Sequence, residues 1–164
     1  MNLITCTGCG ITVTSAEIKL DNQYHASYAC VKLYEEISAD TLSLHDKDFI
    51  HQLIVDTYTA QHVGAKMKPI MITFALIGLY LTFEHNYTGK QVQSAHILLA
   101  NQSKEWPSFI PPKEKASITV LDIVQNSDSM KQEMIKKWGK AVWGIWQPEH
   151  ENITKLVKKY LEIY

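Results

Sequence analysis

Two cysteines separated by two residues and followed by a glycine form the segment CTGCG at residues 6–10. Thiolates at this spacing can bind one ion because the turn between them directs both sulfurs inward, and Gly10 permits the backbone conformation that lets amides donate to them. The remaining cysteine is Cys30, and His25 precedes it, so the four residues follow the pattern C-x2-C-x15-H-x4-C. We therefore predict a zinc site of Cys6, Cys9, His25 and Cys30, which is closed and structural because the protein supplies all four ligands.

Two other interpretations of the cysteines stay open. Free cysteine is among the most buried residue types, so the three could be unrelated core residues. The pair Cys6 and Cys9 could also be a redox site, although thioredoxin-like motifs follow a strand and precede a helix, whereas this pair lies close to residue 1. The tight spacing of the first two cysteines favours zinc over both.

The composition is that of an ordinary globular protein with one domain. The chain has 164 residues, of which 46% are hydrophobic and 20% charged, enough for one core without disulfides. We expect a single domain over residues 1–164, with a zinc knuckle at 1–30 packed on a helical bundle at 31–164. An odd number of cysteines and the lack of a secretory signal pattern predict a cytoplasmic protein. The apolar run 70–83 is too short for a membrane span, which needs about 20 apolar residues.

Apolar periodicity and capping signals predict a mainly α-helical fold with five to seven helices. One face carries Cys30, Leu33, Tyr34 and Ile37, at i, i+3, i+4 and i+7 of a helix that begins near Tyr28. Further helices are predicted from residue 46 or 48 to about 64, over 69–83, from a cap at 88 through 99, from a cap at 119, from 127 or 128, and after 148. The proline-rich segment 106–112 predicts an extended arm. Residues 11–14 and 17–20 are prone to form strands and predict a small hairpin beneath the metal.

A second group of polar side chains follows the pattern H-x4-D-x-Y-x2-Q-H on the second helix. It contributes Asp56, Tyr58, Gln61 and His62. With His150 at the start of the last helix, and Trp146 as a pocket wall, these residues are candidates for a ligand pocket. The alternative is a polar layer in a helical core, in which these side chains satisfy each other and loop backbone.

The charged residues of the chain argue against specific binding of nucleic acid. Formal net charge is −1, and the chain contains no arginine, the residue that reads phosphates and guanine edges in a bidentate manner. Specific nucleic-acid binding is therefore not expected, although lysines could support weak binding.

Several of these motifs occur in an order that resembles a bacterial family of unknown function, number 5946. They are CxxCG, the later Cys30, HxxxxDxYxxQH, the residues LIGL at 76–79, Pro111-Pro112 and WxxxxWxxWxxxH. The resemblance implies that the following residues occupy motif positions: Cys6, Cys9, Cys30, Asp56, Gln61, His62, Trp146 and His150. It does not imply an activity. His62 is then an alternative to His25 as the fourth ligand, because the end of the second helix in an antiparallel pair returns toward Cys30.

These observations predict a zinc-binding cytoplasmic helical protein that acts without catalysis, by binding another protein or a small molecule. The competing hypothesis is a metal-assisted hydrolase or transferase that uses His62, Asp56 and His150 around a pocket. No motif specifies a reaction, a partner or an oligomeric state.

Overall fold

The computed structural model describes residues 1–16, 24–102 and 105–164. Within these ranges it contains two strands, β1 (Asn2–Thr5) and β2 (Thr12–Ser15), and seven α-helices. The helices are α1 (Tyr28–Ser43), α2 (His51–Gln61), α3 (Pro69–His85), α4 (Gly89–Ala100), α5 (Val120–Val124), α6 (Asp128–Ile145) and α7 (His150–Leu161), with a 3-10 helix at Gln147–Glu149. The predicted fold class, a mainly α-helical bundle with a small β-hairpin at the N-terminus, is confirmed.

Local signals in the sequence explain where most helices begin and end. Thr88 caps α4 and Thr119 caps α5, each in a capping box with the side chain three residues later. Pro69 occupies the first turn of α3, where a missing amide costs nothing, and Asn86 ends that helix in the left-handed conformation at φ 56°. The predicted helix starts near 28, 88, 119, 128 and 148 are confirmed within a few residues.

Helix α3 lies at the centre of the bundle. Nine of its residues are buried, in an almost continuous run from Ile72 to Leu81, and it contacts α2, α4, α6 and α7. An apolar surface all round a helix requires neighbours on every side, which is what the run 70–83 indicated. None of the helices in the described ranges combines the length and apolar character that a membrane crossing requires.

The hairpin differs from the predicted one. Strand β2 coincides with the predicted residues 11–14 to within one residue, but its antiparallel partner is β1, with Thr5 opposite Thr12. The second predicted strand, residues 17–20, lies outside the described residues. Periodicity alone could not choose the partner of β2 because both flanking segments are short and β-prone. The observed pairing puts residues 6–11, with both cysteines, in the turn between the strands.

Candidate metal centre

Three thiols and one imidazole meet beneath the hairpin. Cys6 and Cys9 lie in the turn between β1 and β2, Cys30 lies in the first turn of α1, and His62 follows the last residue of α2. Their ligand atoms all lie within 4.8 Å of one another. The side chains are 1%, 4%, 0% and 0% exposed, so the group is sealed from solvent. Four soft or borderline donors in this number and arrangement are the ligand set of a metal ion such as zinc.

The turn that carries Cys6 and Cys9 is shaped by its own backbone. The Cys6 amide donates to the Ile11 carbonyl at 2.8 Å, and the Gly10 amide donates to the Cys6 carbonyl at 2.9 Å. Gly10 has φ 85°, a conformation that side chains with a Cβ rarely adopt. These contacts bring the two sulfurs to one side of the turn, as the spacing predicted.

The imidazole of His62 is oriented by hydrogen bonds on both of its edges. Its Nδ1 lies 2.9 Å from the Tyr58 carbonyl oxygen, which can only accept, so Nδ1 carries the proton. In the neutral ring Nε2 is then the nitrogen with the free lone pair, and it lies 3.3 Å from the Cys30 sulfur. The ring also stacks on Tyr58 at 4.0 Å between centroids. This is the arrangement of a histidine ligand whose second nitrogen is held by a backbone carbonyl.

The distances within the group fit a tetrahedral ion. A zinc ion with Zn–S bonds of about 2.3 Å and Zn–N bonds of about 2.0 Å separates its ligand atoms by roughly 3.5 to 3.8 Å. The Cys9 and Cys30 sulfurs are 3.7 Å apart, and the distance from the Cys30 sulfur to His62 Nε2 is 3.3 Å. Small movements of the side chains would therefore complete the coordination.

Ionisation of all three thiols is unfavourable without a cation. Hydrogen bonds from the Cys30 and Cys9 thiols hold the pKa of Cys6 far below its usual value. A hydrogen bond with Cys30 lowers the pKa of Cys9, but the Cys6 thiolate and burial outweigh it and raise that pKa to about 12. The hydrogen bonds with Cys6 and Cys9, together with burial, also raise the pKa of Cys30. Loss of a proton from one thiol thus makes further ionisation of the group unfavourable, and a bound dication would stabilise the additional thiolates.

Glycine at position 8 is required by the packing around His62. A Cβ at this position would lie 2.6 Å from the His62 Cδ2 atom and would also overlap the His25 carbonyl oxygen. No rotation of a side chain can relieve contact with backbone. The segment between the two cysteines therefore passes directly over the imidazole because residue 8 has no side chain.

His25 does not join the three thiols, so the structure corrects the predicted ligand set. The His25 side chain is exposed, and the residue contributes through its backbone, whose amide donates to the His62 carbonyl at 2.9 Å. Tyr24 and Val63 form an isolated antiparallel bridge beside this bond. These contacts tie the approach to α1 to the end of α2, and thereby bring His62 rather than His25 to Cys30.

Tyr58 contacts the candidate metal centre, and Gln61, which precedes His62 in the chain, anchors the end of α2. The Tyr58 hydroxyl donates to the Cys30 sulfur at 3.5 Å, and its ring stacks on Tyr34 at 4.0 Å. Gln61 Nε2 donates to the Ile118 carbonyl at 2.9 Å, while its Oε1 accepts from Trp138 Nε1 at 2.8 Å. Both side chains have their hydrogen-bonding groups directed into the core, as expected for the polar layer.

Trp146 and His150 do not meet the polar residues of α2 as a pocket. Trp146 is fully buried and donates from Nε1 to the Ala60 carbonyl at 3.0 Å. His150 stacks on Trp143 at 3.7 Å, and its Nε2 lies 2.9 Å from the Trp143 carbonyl oxygen. Within the described part of the chain, no hydrogen bond or ring contact joins His150 to His62 or Asp56. The predicted ligand pocket that combines His150 with the polar residues of α2 therefore stays a prediction.

Asp56 lies apart from the thiols, on the side of α2 that faces α3 and α4. It is 3% exposed, and Gln52 Nε2 donates to its Oδ1 at 3.0 Å. Burial raises the pKa of its carboxyl well above the usual value, and the Gln52 hydrogen bond offsets only part of that effect. A buried carboxyl with one neutral partner is costly to the fold, so it is a candidate for a separate role.

Lys115 is a contributor that the sequence did not indicate. Its ammonium donates to the carbonyl oxygens of Thr7 and Gly8, each at 2.8 Å, and so ties the segment that follows the proline-rich arm to the cysteine turn. If the group held a dication, three thiolates and one neutral imidazole would leave a net charge of −1, which an ammonium on the same turn would help to offset. A lysine 106 residues beyond Cys9 carries no local pattern that could have identified it.

A protein-family model described as "Family of unknown function (DUF5946)" matches residues 4–147. The match includes all four residues of the metal centre and the polar residues of α2. Searches of curated proteins and of solved structures found no match.

Proposed function

Since the chain belongs to this family of unknown function, we propose a role from its geometry: a binding protein whose fold is stapled by one structural zinc ion. Cys6, Cys9, Cys30 and His62 are the proposed ligands. The observation that carries the proposal is that these four side chains are at most 4% exposed while their ligand atoms lie within 4.8 Å. Such a site has no open position for a substrate.

The elements that the ligands connect support a structural role. The site joins the β1–β2 turn to α1 and α2, and α2 in turn packs on α3 and α6. A small two-stranded hairpin has too little apolar area to be stable alone, so an ion at its turn would contribute a large share of its stability. When bound, zinc would supply charge compensation for the thiolates and a rigid link between the three segments.

Catalysis by His62, Asp56 and His150 has less support. His62 directs Nε2 to Cys30, Asp56 bonds to Gln52, and His150 bonds to the Trp143 carbonyl. A binding function needs none of these groups to converge. The binding partner in this proposal is a protein or a small molecule, and the compartment is a reducing one such as the cytoplasm, where thiols remain available as ligands.

Metal analysis of the purified protein tests the proposal. We expect one zinc ion per chain, and a cobalt-substituted form with the absorption of a four-coordinate site of three sulfurs and one nitrogen that added anions leave unchanged. His62→Gln should lower zinc affinity strongly, whereas the matched variant His25→Gln should leave one zinc per chain.

Two results would contradict the structural site. One is a stoichiometric metal other than zinc, or none at all, in protein purified under reducing conditions. The other is a cobalt spectrum that changes with added anions, because this would reveal an open coordination position.

A further inference from the structure

Helices α2, α3 and α4 enclose an open groove away from the metal centre. Its volume is about 320 Å³, within the range of small-molecule sites. The walls are mostly apolar and are formed by Val55, Ile70, Met71, Phe74 and Ala75. We call it the Asp56 groove, because Asp56 is its one acidic lining residue.

The Asp56 carboxyl is nearly enclosed and weakly partnered. It is 3% exposed, and its hydrogen-bond partner among the described residues is Gln52, at 3.0 Å from Oδ1. No lysine or histidine nitrogen in those residues forms an ion pair with it. A carboxylate in this setting lacks the positive charge that would offset its desolvation.

The opposite helix is shaped to receive this carboxyl. Gly78 of α3 lies against it: a Cβ at position 78 would be 2.6 Å from the Asp56 Cγ atom and closer still to Oδ2. The residues on either side of it, Ile77 and Leu79, are large and apolar. The glycine between them leaves the space that the Asp56 carboxyl occupies. The packing of α3 against α2 therefore includes space for the Asp56 carboxyl.

His96 contributes an uncharged wall to the groove. Its Nε2 lies 2.8 Å from the Phe74 carbonyl oxygen and its ring stacks on Phe74 at 5.0 Å. Burial lowers the pKa of His96, and the hydrogen bond to Phe74 offsets this in part. A neutral imidazole would not repel a cation that enters the groove.

We propose that the Asp56 groove binds a small ammonium compound with an apolar body, an alkylamine or arylalkylamine, whose ammonium pairs with the Asp56 carboxylate. The apolar body would lie against Ile70, Met71 and Phe74. Such a ligand fits both the acid and the apolar walls of the groove. Its ammonium supplies the positive charge that Asp56 lacks, and its apolar body covers the walls.

The protonation balance of this binding is simple. Burial raises the Asp56 pKa, which favours the protonated carboxyl in the ligand-free groove. A proton held by the carboxyl passes to the solvent when an ammonium binds, and no covalent bond forms between ligand and protein. The inference rests on the proposed binding function but not on zinc, since no groove residue is a metal ligand.

Titration calorimetry of the intact, metal-loaded protein with 2-phenylethylamine and its neutral analogue 2-phenylethanol tests this inference. We expect the amine to bind at least about tenfold more tightly than the alcohol, as a charge-assisted hydrogen bond implies. Asp56→Asn should remove that preference. The matched control Asp48→Asn, an exposed acid outside the groove, should retain it.

The position of the ligand provides a second measurement. Methyl resonances of Ile70 and Met71 should shift on addition of the amine, and the large variant Val55→Trp should abolish the shifts. Equal affinity for amine and alcohol, a preference that survives Asp56→Asn, or no saturable binding of the amine would each overturn the inference. If zinc is bound as proposed but the amine fails these tests, only the ligand assignment is lost.

Discussion

At the scale of single residues, two glycines have roles that depend on what lies opposite them. Gly8 passes over the His62 ring, and Gly78 lies against the Asp56 carboxyl. Neither glycine has a positive φ among the described backbone angles, so both are required for space and not for conformation. A side chain at either position should therefore displace the group opposite it, the His62 ring or the Asp56 carboxyl, and should not strain the φ angle of the residue itself.

Replacing Gly8 by alanine should weaken metal binding. The new Cβ would overlap the His25 carbonyl and the His62 ring, and displacement of a ligand or its support typically costs tenfold or more in metal affinity. Competition with a chromogenic chelator measures the loss, which we expect to be at least about tenfold.

Gly144→Ala is the matched control, because a Cβ at this exposed position of α6 meets nothing within 4 Å. It should leave metal affinity unchanged and stabilise the helix by up to about 1 kcal/mol. Equal metal affinity of the Gly8→Ala variant and the wild type would contradict the close packing over His62.

Replacing Asp56 by asparagine should stabilise the protein, and by more as the pH rises. The pKa of Asp56 is higher in the folded than in the unfolded state, so folding binds a proton above the unfolded pKa of about 3.9. The wild type therefore loses stability as pH rises from that value toward the folded pKa, whereas asparagine does not titrate. Urea unfolding of both proteins at several pH values between about 5 and 8 measures the difference.

The comparison with the asparagine variant subtracts the titration of other groups, including His96 in the same groove. A constant difference in unfolding free energy across this pH range would contradict the burial of the carboxyl.

At the scale of secondary-structure elements, Gln61 connects three parts of the chain. It lies at the end of α2, accepts from Trp138 of α6 and donates to the carbonyl of Ile118, just before α5. It thereby positions the last turn of α2, from which His62 reaches Cys30. The polar layer and the metal centre are thus adjacent structures on the same helix end.

Gln61→Leu should destabilise the fold by roughly 2 to 4 kcal/mol, because it leaves a buried indole N–H and a backbone carbonyl without partners. The unfolding free energy from urea titration measures this effect. Gln93→Leu, on the exposed side of α4, should change stability by no more than about 0.5 kcal/mol. A similar cost for the two variants would show that the Gln61 hydrogen bonds contribute little.

At the scale of the whole molecule, the candidate metal centre lies at one end of a continuous core. The core is centred on α3, on which α2, α4, α6 and α7 pack, and its buried cluster extends to Cys6, Cys9 and Cys30. A two-stranded hairpin is at best marginally stable by itself, so on the proposed function β1 and β2 would depend on the ion more than α3 does.

Removal of the metal should therefore loosen one end of the molecule and spare the rest. We expect amides in residues 1–16 and in the first turn of α1 to lose hydrogen-exchange protection in chelator-treated protein, while α3 keeps most of its protection. Exchange measured by mass spectrometry distinguishes the two regions. Uniform loss of protection in α3 and in residues 1–16 would instead show that the whole fold depends on the ion.

The helices and the three thiols of the candidate metal centre could be predicted from the sequence because their signals are local. Capping residues such as Thr88 and Thr119, the apolar run of α3 and the spacing of Cys6 and Cys9 act within a few residues. Hydrogen bonds at helix ends and the period of apolar residues determine such elements without reference to distant parts of the chain.

Tertiary packing alone decided which residues meet across the chain. It brought His62 rather than His25 to Cys30, paired β2 with β1, placed Gly78 against Asp56 and set Lys115 on the cysteine turn. These contacts join segments that are far apart in the sequence. Their distance in space depends on how the helices pack, which no short-range sequence pattern encodes. The paired cysteines therefore predicted a metal centre, and only the folded chain showed that His62 lies beside the three thiols and what surrounds the group.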